Sequence, residues 1–294
     1  MSDQPAARPR RSVLYMPGSN ARALDKGRTI AADALILDLE DAVAPDAKAS
    51  ARDQVVAAVK AGGYGHRELA VRVNPLDTEW GAADVAAAAT CGADALLLPK
   101  VESAAAVQAL DRRMDAAGAP ADMAIWTMIE TPKGVLNAQE IAAASDRLAV
   151  LVMGTSDLVK DLHAEHTDER EPVVTALSWC VLAARAHGRA IVDGVHLDLN
   201  DSKGLEAQCR QGRALGMDGK TLIHPKTVEV ANRAFAPSEA QIAQARRIIE
   251  AHAEAERTGE GLAVLDGQLI EKLHVENARR VVALAEAIQH RRAA

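Results

Sequence analysis

The feature that most constrains the fold of this chain is a regular alternation of short apolar runs with longer, alanine-rich stretches of helical spacing. Each run is rich in valine, isoleucine or leucine and ends at polar, glycine or proline residues, which is typical of a strand. The eight runs are residues 12–16, 34–39, 69–73, 95–98, 124–129, 148–153, 190–192 and 220–223. The predicted helices between them are residues 21–31, 47–61, 82–91, 104–116, 135–143, 173–187 and 205–215. This alternation predicts an α/β fold of parallel strands joined by crossover helices.

The polar residues that follow the predicted strands favour a closed barrel over an open sheet. Both a TIM (β/α)8 barrel and a doubly wound sheet give the same local pattern. Groups capable of chemistry follow nearly every strand, namely Gly18, Ser19, Glu40, Asp41, Arg72, Asn74, Lys100, Glu130, Asp157, Asp193 and His224. In a barrel these strand ends converge on one mouth, whereas in an open sheet most of them are spread along an edge. We therefore predict a TIM barrel.

A second segment follows the eighth strand and is not needed to close a barrel. Pro237 and Ser238 are a helix-start signal before a charged helix over 239–257. A glycine-rich break at 259–261, an apolar run at 262–265, an Asp-Gly turn and a helix over 271–288 complete it. We predict a barrel domain with an N-terminal tail over 1–236 and a C-terminal helical extension over 237–294. This extension caps its own mouth or contacts a neighbouring subunit.

Composition and charge exclude several classes of partner. The net charge of -7 repels phosphate backbones, and the 2% aromatic content supplies few base-stacking platforms, so nucleic acid is not expected. The three cysteines are far apart, which argues against a disulfide framework and a thiolate zinc site. No run approaches the roughly 20 apolar residues of a membrane span, and no signal peptide is evident. We expect a cytoplasmic protein without a membrane partner.

Two carboxylates follow neighbouring predicted strands. Glu130 lies in the string IETPKG and Asp157 in GTSD. Side by side at a barrel mouth, two carboxylates and several waters suit Mg²⁺, which prefers few protein oxygens. Alternatively, Asp157 caps the next helix and Glu130 is a solvated loop residue.

An acidic strand end lies beside a basic one. The string LDLEDAV places Asp38, Glu40 and Asp41 around one buried strand end, where their charges need a cation or a metal. Arg72 ends the next strand and suits bidentate binding of a carboxylate or an enolate oxygen. A structural ion pair of Arg72 with Glu40 or Asp41 is the alternative, and the two interpretations are compatible.

Basic residues near the first and the last predicted strands of the barrel suit an anionic ligand. Pro-Gly-Ser at 17–19 leads into a helix with Arg22 and Lys26 on one face, a geometry that suits phosphates, although such a string is more often a simple helix cap. His224, in the string KTLIHPK, is either a ligand contact or a hydrogen-bonded turn residue. Serine-hydrolase elbows, P-loops and HExxH motifs are not found in the sequence.

Eight strings, taken in order, resemble the HpcH/HpaI aldolase/citrate lyase family, and within it the citrate lyase β-subunit-like and malyl-CoA lyase proteins. They are RSVLYMPGSNARALDKG, LILDLEDAVAPDAK, VRVNPLDTEWG, LLLPKVES, MIETPKGVLNA, VMGTSDL, DGVHLDLND and MDGKTLIHPKTVEVANRAF. The resemblance runs from residue 11 to about residue 287. It implies a TIM barrel, a homotrimer or hexamer, a Mg²⁺ ion and a coenzyme A thioester substrate.

The resemblance also implies roles for particular residues. The metal carboxylates of the family match Glu130 and Asp157, and its substrate-binding arginine matches Arg72. The implied catalytic set is Arg72, Glu40, Asp41 and Glu271, and the implied coenzyme A and substrate contacts are Tyr15, Asn20, Arg22, Lys26, Arg72, Ile223 and His224. Asn20 stands where malyl-CoA lyases carry an arginine, for which Arg22 is a replacement. Glu271 matches an aspartate that in relatives enters the active site of a neighbouring subunit.

Three functions are consistent with these residues. The first is a Mg²⁺-dependent lyase that cleaves a 3-hydroxydicarboxylyl-CoA of the malyl-CoA or citramalyl-CoA type to acetyl-CoA and a 2-oxoacid. The second is hydrolysis of the same thioester in the same cavity, and the string VLDGQLIEKLH is similar to the malyl-CoA thioesterase branch. The third is a non-catalytic thioester-binding subunit, against which the complete metal and arginine set argues.

Overall fold

The computed structural model of this chain describes residues 8–259 and 262–293. The described chain divides into two compact units, one formed by residues 10–235 and the other by the described residues of 236–293 together with residues 8 and 9. Residues 260 and 261 of the predicted glycine-rich break lie outside the described residues. Each unit is described below by itself.

The first unit is a closed barrel of eight parallel strands, in which each strand pairs with its neighbours in sequence and β1 also pairs with β8. This confirms the predicted TIM barrel. The strands are β1 (Ser12–Pro17), β2 (Ala34–Asp38), β3 (Glu68–Arg72), β4 (Ala95–Leu98), β5 (Ala124–Ile129), β6 (Leu148–Met153), β7 (Ala190–Asp193) and β8 (Gly219–Leu222). Because all strands run in one direction, their carboxyl ends open on the same face.

Helices lie between the strands of this unit, and short 3-10 helices span Pro45–Ala47 and Pro225–Thr227. The α-helices are α1 (Ala21–Gly27), α2 (Lys48–Ala61), α3 (Gly81–Ala88), α4 (Ala104–Ala116), α5 (Pro132–Leu136), α6 (Ala138–Ala142), α7 (Thr155–Asp161), α8 (Glu171–Ala186), α9 (Ser202–Leu215) and α10 (Val228–Phe235). The helix predicted over 21–31 is shorter in the structure and ends at Gly27. The single helix predicted over 135–143 is instead two short helices, α5 and α6. The chain leaves helical geometry at Asn137, which separates α5 from α6.

Side chains alternate between two apolar layers along the strands. One set packs outward against the helices, and the other fills the barrel interior with small and branched residues around Trp126. The interior set is Val13, Ala34, Ile36, Ala70, Ala95, Leu97, Trp126, Met128, Val150, Val152 and Val192. Cys91, Cys180 and Cys209 are all buried in the outer layer. Ala34, Ala70 and Ala95, from β2, β3 and β4, share this interior cluster with the large Trp126.

Two arginines join the starts of the strands. Arg10 donates to both carboxylate oxygens of Glu68 at 2.7 and 2.8 Å and lies over the ring of Trp126. Arg11 pairs in the same bidentate way with Asp33, at 2.8 and 2.9 Å. These basic residues near the N-terminus therefore neutralise buried acids at the strand starts, opposite the mouth.

The second unit contains two long helices and a hairpin. Helix α11 (Glu239–Thr258) starts with a capping box formed by Ser238 and Gln241. Strands β9 (Ala263–Leu265) and β10 (Gln268–Ile270) pair antiparallel before α12 (Lys272–Ala293). Ala255, Ala263, Ile270 and Val275 form its small apolar cluster. No helix among the described residues combines the length and apolarity needed to cross a bilayer.

Candidate active site

Arg72, the last residue of β3, is held by Asp38, the last residue of β2. Its Nε and Nη2 donate to the two carboxylate oxygens of Asp38, both at 2.6 Å, and its Nη1 lies 2.7 Å from Oε2 of Glu40. Burial lowers the pKa of Arg72, but the bonds and charge of Asp38 outweigh this effect and raise it overall. The ion-pair interpretation therefore describes this arrangement, with Asp38 as the main partner.

These contacts limit what Arg72 can donate to a ligand. Nη1 also lies 3.4 Å from Oδ2 of Asp41 and 3.6 Å from Sδ of Met128. Among the described residues, one Nη2 N–H is left without an acceptor. Arg72 thus cannot bind a ligand carboxylate in the expected bidentate way unless Asp38 moves. It can still donate a single hydrogen bond to a developing oxyanion.

Glu40 lies between two cations. Its Oε2 faces Arg72, and its Oε1 accepts from Nζ of Lys100 at 2.6 Å. Burial raises the pKa of Glu40, although the two cations act in the opposite direction. Lys48 donates to the carbonyl oxygens of Leu39 and Glu40 and so fixes the backbone there. In contrast to Glu40, the side chain of Asp41 is 57% exposed and is available to solvent at the rim.

Tyr15 forms part of the apolar floor below these charges. Arg72 lies over its ring, 5.0 Å from the centroid, and its hydroxyl lies 3.6 Å from Sδ of Met128. Burial raises the pKa of Tyr15 well above its ordinary value, so the phenol stays protonated at neutral pH. Tyr15 therefore supplies packing and a cation–π contact to Arg72.

Glu130 lies between the end of β5 and Thr131, the cap of α5. It is 1% exposed, and its Oε1 accepts from the backbone N–H of Lys100 at 2.7 Å. Its Oε2 has no hydrogen-bond partner in the described part of the chain. Burial raises the pKa of Glu130 to about 7, and the charges of Glu40 and Asp157 add to this effect. The solvated-loop interpretation of Glu130 is therefore wrong.

Asp157 lies in the first turn of α7, which begins directly after β6 and Gly154. No side chain caps this helix at Gly154, so the interpretation of Asp157 as a helix cap is wrong. The neighbouring Ser156 has a buried Oγ without a partner. Helix α7 thus places the carboxylate of Asp157 close enough to Glu130 for the two charges to interact, and it carries one unsatisfied hydroxyl in the same turn.

The donor set fits a hard dication. Five carboxylates lie at this mouth, Asp38, Glu40, Asp41, Glu130 and Asp157, together with three cations, Lys48, Arg72 and Lys100. When all five acids are ionised, this leaves an excess of two negative charges. Oε2 of Glu130 is unsatisfied and charged groups surround it. No group of three or more His, Cys, Asp or Glu residues among the described residues is placed to bind a metal. A carboxylate pair completed by waters matches Mg²⁺ better than zinc.

The raised pKa of Glu130 leads to a prediction about stability. The metal-free protein therefore loses stability as the pH rises from about 4.5, the ordinary pKa of a glutamate, to about 7, the pKa of Glu130 in the fold. The metal-free Glu130→Gln variant is therefore expected to be more stable than the wild type at pH 8, with no difference near pH 4. Urea denaturation at both pH values measures this. Equal stability at pH 8 would contradict the raised pKa.

Gly154 is required for the position of Glu130. A Cβ at residue 154 would lie 2.3 Å from Cβ and 2.6 Å from Oε2 of Glu130. Gly154→Ala is expected to displace this carboxylate and to weaken Mg²⁺ binding by about tenfold or more, measured by calorimetry. Gly118→Ala is the control, because φ is +79° there and nothing lies within 4 Å of the added Cβ. It should lose stability while keeping its Mg²⁺ affinity, and a similar loss of affinity in both variants would contradict the prediction.

The residues predicted to bind coenzyme A lie around β1 and β8. Arg22 and Lys26 are exposed on α1 and form no side-chain bonds within the described residues, whereas Asn20 caps α1 by accepting from the N–H of Ala23. His224 is exposed and accepts from the N–H of Lys226, and Ile223 is 41% exposed. Asn20 and His224 thus have structural bonds of their own, while Arg22 and Lys26 are open to a ligand.

Glu271 lies in the second unit, immediately before α12. Its backbone N–H donates to Nδ1 of His274, and its side chain is exposed. Four large apolar side chains flank it in sequence and are also exposed, Leu262, Val264, Leu269 and Leu273. The role of Glu271 stays a prediction.

Two of the remaining strand-end groups have structural roles. Asp193 accepts from Arg170 at 2.8 Å and pairs with the fully buried Lys220 at 3.2 Å. Asn74 donates to the carbonyl of Leu39 and to Asp84. The sequence pattern indicated Arg72 or a metal as partner of the acidic cluster that includes Asp38, but it did not single out Asp38 as the main partner of Arg72. It gave no partner for Lys100, although this residue follows a strand end beside the predicted site.

Known proteins resemble this chain along most of its length. The family model described as HpcH/HpaI aldolase/citrate lyase matches residues 11–225. A (3S)-malyl-CoA thioesterase of Cereibacter sphaeroides is 52% identical over 282 residues, which is 96% of this chain and 96% of the relative. The citrate lyase subunit beta of Haemophilus influenzae is 38% identical over 283 residues, 95% and 97% of the two chains.

The solved structures agree with this similarity. CitE of Mycobacterium tuberculosis, in complex with magnesium, acetoacetate and coenzyme A, has a TM-score of 0.74 at 32% identity and covers 96% of this chain and 99% of its own. RipC of Yersinia pestis has a TM-score of 0.67 at 34% identity, with coverage of 79% and 97%. On its motifs, its barrel and these similarities, the chain belongs to the HpcH/HpaI aldolase/citrate lyase family.

Proposed function

We propose that this protein is a Mg²⁺-dependent enzyme that hydrolyses the thioester of a 3-hydroxydicarboxylyl-CoA of the malyl-CoA type. The observation that carries the proposal is the 52% identity to a (3S)-malyl-CoA thioesterase over 96% of both chains. The buried Glu130, the neighbouring Asp157 and the single open N–H of Arg72 supply groups that this reaction needs. We also propose that the protein is a cytoplasmic homotrimer or hexamer.

The chemistry divides between the metal site and the strand ends. Glu130 and Asp157 would hold Mg²⁺, which when bound supplies Lewis-acid polarisation of the substrate oxygens. Arg72 donates its free Nη2 N–H to the thioester oxygen, which gains negative charge as water adds to the carbonyl carbon. The C–S bond then breaks, and sulfur leaves with the electron pair as the coenzyme A thiolate. The proton lost by water passes to a carboxylate, for which Asp41 and Glu271 are the candidates.

A carbon–carbon lyase is the second candidate. The observation that favours it is the 38% identity to a citrate lyase subunit beta over 95% of this chain. In this reaction the hydroxyl loses its proton, the bond between C2 and C3 of the acyl group breaks, and a 2-oxoacid and the enolate of acetyl-CoA form. Arg72 would then stabilise the enolate oxygen with the same N–H. A non-catalytic thioester-binding subunit requires none of these groups.

One assay separates the three functions. The purified protein is incubated with Mg²⁺ and malyl-CoA or citramalyl-CoA, and free thiol, hydroxy acid and 2-oxoacid are measured separately. We expect thiol and hydroxy acid to appear in equal amounts without 2-oxoacid. Formation of 2-oxoacid and acetyl-CoA would instead support the lyase. Tight binding without any product would overturn both catalytic proposals.

Glu271 is expected to act in the active site of a neighbouring subunit. Its exposed side chain is flanked by exposed apolar residues, which would be covered at a subunit interface. Inactive Glu271→Ala and Glu130→Gln proteins, mixed under conditions of subunit exchange, should therefore recover part of the activity, because some interfaces combine an intact metal pair with an intact Glu271. Glu276→Ala, an exposed acid on α12, is the control for the first variant. Mixed oligomers that stay inactive would contradict action in trans.

A further inference from the structure

Lys100 has a backbone conformation that lysine rarely adopts. Its φ is +51°, in the left-handed region, and the other described non-glycine residues with positive φ are His163, Arg170 and Asp266. Those three have ordinary explanations, because they follow α7, precede α8 and form the β9–β10 turn. Lys100 follows β4 and lies four residues before α4, and neither element requires a left-handed residue there.

This conformation lets one residue reach two carboxylates in different strand-end loops. The backbone N–H of Lys100 donates to Oε1 of Glu130 at 2.7 Å, and its Nζ donates to Oε1 of Glu40 at 2.6 Å. The first bond uses one lone pair of Oε1, so Oε2 is the Glu130 oxygen without a partner among the described residues. The second places a cation opposite Arg72, which binds the other oxygen of Glu40.

We infer that Lys100 is a positioning residue that sets the metal carboxylate through its backbone and the Glu40–Arg72 pair through its side chain. Glycine adopts this backbone most readily but carries no ammonium group. Lysine at this position therefore combines a strained backbone with an ammonium group that glycine would not supply. The part concerning turnover rests on the proposed function, whereas the part concerning the metal does not.

The side chain controls Arg72 by holding its partner. Glu40 and Asp41 carry two negative charges beside Arg72, and Lys100 lies 2.6 Å from Glu40 and 3.9 Å from Asp41. Without this ammonium, Arg72 and the buried Lys48 must balance both acids together with Asp38, and the free N–H of Arg72 is drawn toward them. The expected consequence is a slower reaction with little change in substrate binding, since the ammonium is bonded to Glu40.

Four variants of the full-length protein separate the backbone and side-chain roles. Lys100→Gly keeps the left-handed backbone and the N–H but removes the ammonium. Lys100→Ala and Lys100→Met also remove the ammonium, but they keep a side chain at positive φ, so the strained backbone is no longer held by the bond to Glu40. Lys100→Arg keeps both the charge and the strain. His163→Gly is the matched control, since it changes another left-handed, exposed residue to glycine outside the site.

Magnesium binding is measured by calorimetry with MgCl2 alone, and turnover by thiol release at saturating Mg²⁺. Lys100→Gly should bind Mg²⁺ within about threefold of the wild type, while Lys100→Ala and Lys100→Met bind it about tenfold more weakly. In Lys100→Gly, kcat should fall about 10- to 100-fold with KM changed by less than about threefold, and Lys100→Arg should restore most of kcat. His163→Gly should match the wild type in both measurements.

Two results would overturn the inference. Normal kcat in Lys100→Gly would remove the side-chain role, and equal Mg²⁺ affinity in the glycine, alanine and methionine variants would remove the backbone role. A purely structural ion pair would lower thermal stability in the glycine, alanine and methionine variants without separating Mg²⁺ affinity from kcat. If the wild type binds Mg²⁺ but turns over no thioester, the proposed function fails, and the calorimetric comparison still decides the backbone role.

Discussion

Glu130→Gln and Asp157→Asn are each expected to lower Mg²⁺-dependent turnover by about a thousandfold while the barrel stays folded. A bound metal ion contributes several kcal/mol of transition-state charge stabilisation in such reactions. A loss of about 4 kcal/mol corresponds to a thousandfold slower reaction. A neutral amide is a much poorer ligand for a hard dication than a carboxylate. Calorimetry with MgCl2 should show weakened binding in both variants, and circular dichroism should show unchanged secondary structure.

Matched controls exist for both substitutions. Glu102→Gln makes the same change in a half-exposed residue paired with Lys133, and Asp161→Asn does so at the other end of α7. Both controls should keep turnover within about twofold, since exposed pairs of this kind contribute little. Near-normal activity in Glu130→Gln or Asp157→Asn would refute the metal assignment.

Arg72→Met is expected to destabilise the barrel strongly as well as to abolish activity. Removing the guanidinium leaves Asp38 and Glu40 buried without their main cation, and breaking a buried pair in this way costs about 3–5 kcal/mol. Arg72→Lys keeps the charge but cannot bind both oxygens of Asp38 in the same fork, so it should lose less stability and still lose about a hundredfold in turnover. Thermal unfolding and thiol release measure the two effects.

The coupling to Asp38 provides the internal check. The double variant Asp38→Asn with Arg72→Met should recover part of the stability lost in Arg72→Met, because one of the unpaired charges is gone. Arg210→Lys, in an exposed pair with Glu206 on α9, should change stability by less than about 0.5 kcal/mol. A loss below about 1 kcal/mol in Arg72→Met would show that the buried acids do not depend on this residue.

The barrel could be predicted because its strands are buried on both faces. Runs 95–98, 124–129 and 148–153 coincide with β4, β5 and β6, since a continuous apolar run between turn residues has clear limits. The prediction omitted α7 and α10, which are seven and eight residues long. A segment of two turns is too short for helical periodicity to be recognised in a polar sequence.

The candidate site was only partly predictable for a different reason. Glu130, Asp157 and Arg72 follow from their positions after strands, because the fold brings all strand ends to one mouth. Which acid binds Arg72 depends on how far each side chain extends within that mouth. Asp38 and Glu40 lie two residues apart at the same strand end, so the sequence does not distinguish them. The bond from Lys100 to Glu130 is made by the backbone, so the identity of residue 100 gives no sign of it.

The burial of the cysteines has a practical consequence for thiol chemistry. Burial raises the pKa of Cys180 to about 12 and that of Cys209 to about 11, and Cys91 is 4% exposed. A thiolate-directed colour reagent should therefore leave the folded protein almost unlabelled and detect only coenzyme A released in solution. Once the barrel opens, the same reagent should label all three cysteines, so its uptake in denaturant measures how often the unit around them unfolds.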